Sequence, residues 1–244
     1  MMAAFLASCG GPYTARRVNL PDEKLRIADA FFEKGRYSSA AVEYKDFLAV
    51  FAGDERGDYA QFRLAESYRM NEEYALAAVE YRILINDYSY SEYVDDAFFL
   101  EAVCSWEMTR RAERDQTRTF EALSRVRRFL RFFPESPRRE EAEKLLAEIH
   151  DRLGRKDFIS AELYFGKGHL RAAEIYFRKI VEEYPETIWA GRSWYYLGSI
   201  YEDRGEKEEA AEAYGRAVRF EAEFEEKDRA SRRLGELSRE SRSG

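Results

Sequence analysis

One recurring pattern of residues constrains the fold of this chain more than any other feature. An aromatic residue is followed at fixed intervals by a glycine or polar residue, an alanine, a second aromatic and an apolar residue. The four clearest copies begin at Phe31, Tyr68, Tyr164 and Tyr201, and a degenerate copy is centred on Ala122. Units of this length bury their apolar face only against their neighbours, so the chain is expected to fold as an array of stacked units.

The spacing within each copy has a physical cause. The small alanine lets two antiparallel helices approach closely, the aromatics fill the groove between helix pairs, and the glycine or polar residue turns the chain. The last copy carries Trp194, Leu197, Gly198 and Tyr201 at the spacing typical of tetratricopeptide (TPR) repeats. We therefore predict an all-α TPR superhelical solenoid with about five helix-turn-helix repeats (ten helices). The polar segment after Phe220 is predicted to form a C-terminal capping helix.

The copies are unevenly spaced, which indicates insertions between them. The repeat alanines lie 37 to 51 residues apart, against roughly 34 residues in regular TPR arrays. The longest gap holds Pro137 to Lys167, whose helical periodicity predicts one long helix, with Ser136 as its N-cap. This helix would divide the chain into an N-terminal TPR block over residues 23–135 (repeats 1–3) and a C-terminal TPR block over residues 136–244 (repeats 4–5 and the capping helix).

The chemistry of the sequence argues against catalysis. Charged residues make up 36% of the chain with a net charge of −7, which disfavours nucleic acid as a partner. Neither a glycine-rich phosphate cradle nor a metal-ligand spacing occurs. The two histidines, His150 and His169, are expected to be structural or solvent-facing, and Cys104 is expected to be buried. We predict a protein that is not an enzyme and uses no cofactor or metal.

A concave surface lined by the first helix of each repeat is the predicted binding site. The register of repeats one and two places five residues on that surface as candidate peptide contacts: Phe32, Phe62, Glu66, Arg69 and Met70. An arginine beside aromatic and thioether side chains could hold a peptide that carries an aromatic residue or a free carboxylate end.

The N-terminal segment differs in character from the rest of the chain. Residues 1–11 are small and apolar, and the tetrad Leu6-Ala7-Ser8-Cys9 resembles the bacterial lipobox. We expect residues 1–8 to be the remnant of a lipoprotein signal peptide, Cys9 to carry a covalent lipid, and residues 9–22 to form a lipid-anchored linker. A chance apolar start is the alternative. A basic leader is missing, so we expect the true translation start to lie upstream.

A family resemblance emerges when these features are combined. The lipobox, the five irregular repeats and the Arg-Asp-Gln-Thr segment at 114–117, with the helical stretch that follows it, together resemble the BamD (ComL/YfiO) family of outer membrane protein assembly lipoproteins. The resemblance extends from Cys9 to about residue 220. It implies a lipid anchor on the periplasmic face of the outer membrane and a non-catalytic scaffold role in the β-barrel assembly (BAM) complex.

The partners that the resemblance implies follow the two blocks. The N-terminal repeats would receive the C-terminal targeting segments of unfolded outer membrane β-barrel proteins. The C-terminal repeats would dock on a BamA-like insertase, alongside other BAM lipoproteins. The final repeat is closer to the general TPR consensus than is usual in the family. The alternative is therefore another periplasmic TPR adaptor lipoprotein that coordinates envelope constriction or cell-wall synthesis.

Overall fold

The computed structural model describes residues 20–110 and 116–243, with side chains for all of these except Arg110 and residues 241–243. Within this part of the chain there are eleven α-helices and no strands. The predicted lipidation site Cys9 and the Arg114–Asp115 half of the tetrapeptide lie outside the described residues. The chain divides into two compact units, one ending at Val94 and the other beginning at Asp95.

The N-terminal unit consists of two helical hairpins. Its helices are α1 (Pro21–Glu33), α2 (Tyr37–Val50), α3 (Gly57–Met70) and α4 (Tyr74–Asp87). The repeat alanines Ala40 and Ala77 and the repeat tyrosines Tyr44 and Tyr81 are completely buried. The residues that recur in the sequence are therefore those that hold each hairpin together, as the repeat pattern predicts.

The C-terminal unit consists of three further hairpins and a terminal helix. Its helices are α5 (Val94–Arg110), α6 (Thr117–Phe132), α7 (Arg139–Gly166), α8 (Leu170–Glu183), α9 (Ile188–Asp203), α10 (Lys207–Arg219) and α11 (Lys227–Ser243). α11 packs on α10 and α9 and covers the core through Ala230 and Leu237. The predicted ten repeat helices and capping helix are all present, which confirms the fold class.

The predicted long helix is present, but it begins later than expected. α7 has 28 residues and starts at Arg139, because Ser136 forms a turn instead of capping the helix. Its hydroxyl donates to Asp95 at 2.9 Å and accepts from the backbone N–H of Arg138 at 3.2 Å. α7 packs within the C-terminal unit against α6, α8 and α9. The compact units thus divide at residue 94, whereas the two proposed TPR blocks meet at residue 135.

In the four hairpins whose turn the structure describes, that turn has one residue with a left-handed backbone. Gly35, Gly168 and Gly205 adopt φ values of 69° to 77° at the repeat position where the pattern predicts a glycine or polar residue. The second repeat has Glu72 there, with φ of 59°, the one such non-glycine residue in the described part of the chain. A left-handed conformation costs an ordinary residue roughly 1–2 kcal/mol, so the packing of α3 on α4 must offset this strain.

Candidate functional site

An open groove of about 710 Å³ lies in the N-terminal unit. We call it the N-terminal groove. Its described lining residues come from α1, from the start of α3 and from the segments that precede α3 and α5: Asp22, Leu25, Arg26, Asp29, Glu55, Arg56, Asp58, Tyr59, Glu92 and Tyr93. Its volume lies within the roughly 300–1,000 Å³ typical of ligand sites, so it is the leading candidate for a binding site in this unit.

The rim of the N-terminal groove is acidic. Five carboxylates line it against two guanidinium groups. One of those guanidiniums, on Arg56, is already held by Asp22 and by Asp54, whose oxygen lies 2.9 Å from Nε. Hydrogen bonds from Arg56 lower the pKa of Asp54 to about 2, so this pair stays ionised at any physiological pH. The unmatched carboxylates favour a ligand that brings cationic side chains or N–H donors.

The floor of the N-terminal groove is aromatic. The rings of Phe62 and Tyr93 stack with centroids 4.9 Å apart, and Tyr59 lies 6.2 Å from Tyr93. The hydroxyl of Tyr59 donates to Asp29 at 2.7 Å, and Tyr44 donates to the same oxygen at 2.5 Å. Burial, aided by the bond to Asp29, raises the pKa of Tyr59 to about 12. The floor therefore presents neutral rings with fixed polar edges, a surface suited to aromatic side chains.

The five sequence-predicted residues are not among the described lining residues of the groove, and one of them packs against a residue that is. Phe62 stacks on the groove residue Tyr93. Phe32 lies under the guanidinium of Arg63, 3.6 Å from its ring centre. Glu66 and Arg69 lie further along α3, and the exposed Met70 has its sulfur 3.5 Å from Arg69 Nη2. The role of the five residues as peptide contacts stays a prediction.

The proposed carboxylate receptor, Arg69, already has an anionic partner. Two of its nitrogens donate to the two oxygens of Glu66 at 2.7 and 3.1 Å, and the hydroxyl of Tyr81 donates to Glu66 as well. Burial opposes ionisation of Glu66, but the bonds from Arg69 and Tyr81 prevail and lower its pKa. A peptide carboxylate would have to compete with this bidentate pair, whereas the aromatic part of the predicted ligand meets no such competitor.

Two aromatic groove residues, Tyr59 and Tyr93, were missed by the sequence analysis. Neither occupies a repeat-core position, and Tyr93 lies in the segment that connects α4 to α5. The signal was the density of tyrosines in Tyr88-Ser-Tyr-Ser-Glu-Tyr93, which a polar spacer does not need.

The cysteine and the two histidines considered in the sequence analysis lie outside the groove. Cys104 and His150 are buried, and His169 is exposed at the start of α8. Across the described residues, no cluster of histidine, cysteine and carboxylate side chains could hold a metal ion. None of the helices described is both long enough and apolar enough to cross a bilayer.

Two relatives of known function have sequences similar to this chain. An outer membrane protein assembly factor BamD from Caulobacter vibrioides is 27% identical over 114 residues, which are 47% of this chain and 37% of the relative. A second BamD, from Rickettsia prowazekii, is 22% identical over 178 residues, 73% of this chain and 71% of the relative. The chain thus matches little more than a third of the Caulobacter protein.

The structural comparison bears on the fold alone. The crystal structure of a TPR repeats protein from Bacteroides fragilis superposes with a TM-score of 0.55 at 13% identity, over 91% of this chain and 99% of that one.

The family comparison covers most of the sequence, since the model of the outer membrane lipoprotein family YfiO matches residues 20–215. The resemblance noted from the repeats is thereby confirmed, and the chain belongs to the YfiO family of outer membrane lipoproteins.

Proposed function

We propose that this protein is a non-catalytic scaffold in the assembly of outer membrane β-barrel proteins. The observation that carries the proposal is the match of residues 20–215 to the outer membrane lipoprotein family, together with two relatives named as outer membrane protein assembly factors. The TPR architecture supports a scaffold role, because stacked helical hairpins generate binding surfaces.

We assign the reception of unfolded clients to the N-terminal groove. Its ligand would be an extended client segment whose aromatic side chain packs on Tyr59 and on Tyr93, which is itself stacked on Phe62. The carboxylates of the rim would accept hydrogen bonds from basic side chains or from unpaired backbone N–H groups of the same segment. An unfolded β-barrel strand offers both features, since strands are rich in aromatic residues and have unpaired N–H groups before they join a sheet.

The anchor and the docking surface complete the proposed arrangement. A lipid on Cys9 would tie the chain to the outer membrane, and C-terminal repeats would dock on a BamA-like insertase and other BAM lipoproteins. The segment from Cys9 to Pro21 can extend at most about 40 Å. The start of α1, which lines the N-terminal groove through Asp22, would therefore stay within that distance of the membrane surface.

Photo-crosslinking inside the cell tests client reception directly. With p-benzoylphenylalanine at Tyr93, we expect crosslinks to unfolded outer membrane β-barrel proteins. Alanine at Phe32, Phe62 and Arg69 together should lower the crosslink yield about tenfold, a loss of about 1.4 kcal/mol of binding. The readout is the crosslinked client on a gel, identified by mass spectrometry.

The matched control places the same photo-crosslinker at Val42, which is 58% exposed on α2 and does not line the groove. Circular dichroism of the triple variant should show that its helices are retained. Equal client crosslinking from Val42 and Tyr93 would refute the assignment of the groove. A yield that the triple variant leaves unchanged would refute the predicted contacts at Phe32, Phe62 and Arg69.

A further inference from the structure

A second groove lies in the C-terminal unit along α6. It has a volume of about 500 Å³, and we call it the arginine groove. Its described lining residues are Phe120, Leu123, Ser124, Arg127, Arg128 and Arg131. Three guanidinium groups and no carboxylate therefore line it in the described part of the chain. This local charge is opposite to the net charge of the protein, which is −7.

Two of the three arginines of this groove, Arg127 and Arg131, have no carboxylate partner among the described residues, whereas Arg128 pairs with Glu101 at 3.3 Å. The recorded contacts of Arg127 and Arg131 are with His150 and Phe132. Like charges one helical turn apart destabilise a helix, and Arg127 and Arg131 are such a pair. This unfavourable pair would be relieved by an anionic ligand.

Two of the three guanidiniums are held in place by contacts with side chains of neighbouring helices. Arg127 Nη2 lies 3.1 Å from His150 Nε2, and Nδ1 of the same buried ring contacts Glu186. The arginine can only donate, so Nε2 accepts and the proton lies on Nδ1, towards Glu186. Arg128 lies 4.5 Å above the ring of Phe98 and donates to Glu101 at 3.3 Å. Because these side chains are already ordered, binding costs less conformational entropy.

The groove has the shape of a strip. Phe120, Ser124, Arg127 and Arg131 follow one another at intervals of three or four residues, so they form a stripe on one face of α6. The stripe extends over roughly 16 Å. Its end nearer the N-terminus of α6 is apolar, since Phe120 is 44% exposed. Its other end, with Arg127 and Arg131, is cationic. An elongated segment can contact both ends, whereas a compact anion reaches only one.

The apolar side of α6 is already occupied, which argues against a bilayer as the ligand. Ala122, Val126 and Phe129 are completely buried in the unit. A helix that binds in a membrane interface inserts a broad apolar face between the lipids. The exposed apolar residues of α6 are Phe120 and Phe132, which lie twelve positions apart. They do not form such a face.

We propose that the arginine groove docks an acidic segment of a partner protein. The segment carries carboxylates about one helical turn apart, which face Arg127 and Arg131, and an apolar side chain that packs on Phe120. Arginine is suited to this role because its planar fork binds carboxylates bidentately. The proposal rests on the geometry of α6 alone and stands whether or not the N-terminal groove receives clients.

Fluorescence anisotropy with a defined probe tests the proposal. The probe is a labelled 16-residue helical peptide with two glutamates four positions apart and a leucine seven positions from the nearer one, the spacing of Phe120, Arg127 and Arg131. Its comparison peptide has glutamine at both glutamate positions. We expect the acidic peptide to bind and the glutamine peptide not to. Arg127→Gln with Arg131→Gln should weaken binding at least about tenfold, because both charge-assisted pairs with the glutamates are lost.

The matched control is Arg155→Gln with Arg171→Gln, which removes the same charge from exposed positions on α7 and α8 and should leave binding unchanged. Arg131→Gln alone guards against misfolding, since Arg131 is exposed and its recorded contact is its neighbour Phe132. Three results would overturn the proposal: no binding of the acidic peptide, equal losses in both double variants, or arginine-dependent binding of phosphatidylglycerol vesicles but not of the peptide.

Discussion

Replacing Glu226 with alanine is expected to lower the free energy of unfolding of the C-terminal unit by about 3 kcal/mol. The Glu226 side chain is 1% exposed and accepts two hydrogen bonds from Arg192, at 2.9 and 2.6 Å. Removing one partner of a buried ion pair costs roughly 3–5 kcal/mol, because the other charge is left without compensation. The lower end applies here, since the Arg192 side chain is 20% exposed and can recover some hydration.

The loss should be concentrated at the capping helix. Glu226 directly precedes α11, and Arg192 projects from α9 against the ring of Phe158, 4.4 Å away. In urea titrations followed by circular dichroism, Glu226→Ala should unfold at lower urea, and the amides of α11 should exchange faster with deuterium. Glu225→Ala is the control, because its side chain is 79% exposed and its pair with Arg229 is superficial. Equal effects of the two variants would contradict the structural role of Glu226.

Gly198→Ala is expected to destabilise the C-terminal unit by about 2–3 kcal/mol. A Cβ atom at this position would lie 2.7 Å from Cδ1 and 2.8 Å from Cε1 of Tyr214. That ring is 1% exposed and its hydroxyl donates to Glu202 at 3.0 Å, so it has little room to move. Overfilling a packed core typically costs 1–3 kcal/mol, and the closeness of this contact places the expected loss at the upper end.

Thermal unfolding followed by circular dichroism measures this effect. Gly235→Ala on α11 is the matched control, since a Cβ there would meet nothing within 4 Å. In a helix interior that change should be neutral or stabilising by up to about 1 kcal/mol. If Gly198→Ala melted at the temperature of the unchanged protein, α9 and α10 could not be packed as closely as the structure has them.

The repeat core was predictable because the same residue types pack at the same positions in each repeat. Ala40, Ala77, Ala173 and Ala210 recur at one position, and each is completely buried where two helices approach. Such residues can be recognised from the sequence alone, because their spacing follows the helical period. The start of α7 was less predictable, since Ser136 donates a hydrogen bond to Asp95, forty-one positions earlier.

The two grooves were not predictable in the same way. The floor of the N-terminal groove depends on Tyr93, which lies in a connecting segment and meets Phe62 only after folding. The arginine groove was visible only as a cluster of basic residues. Its order depends on Arg127, His150 and Glu186, which lie on α6, on α7 and in the turn before α9. Contacts between residues so far apart in the chain follow no regular spacing, so the sequence pattern does not predict them.

The two grooves also give the proposed scaffold two chemically distinct surfaces. The rim of the N-terminal groove is acidic and its floor is aromatic, whereas the arginine groove presents three guanidiniums. Opposite local charges favour different partners and disfavour exchange between them. This supports the expectation of two binding tasks on one frame.

Depletion of the protein from its own cells tests the central claim most directly. The measurement is the amount of folded β-barrel protein in the outer membrane, compared with the amount of outer membrane lipoproteins that contain no barrel. The account predicts that folded barrels fall, that unfolded barrel chains accumulate in the periplasm and that the other lipoproteins are unchanged. Normal barrel levels together with a defect in constriction or cell-wall synthesis would contradict it and favour the alternative envelope adaptor.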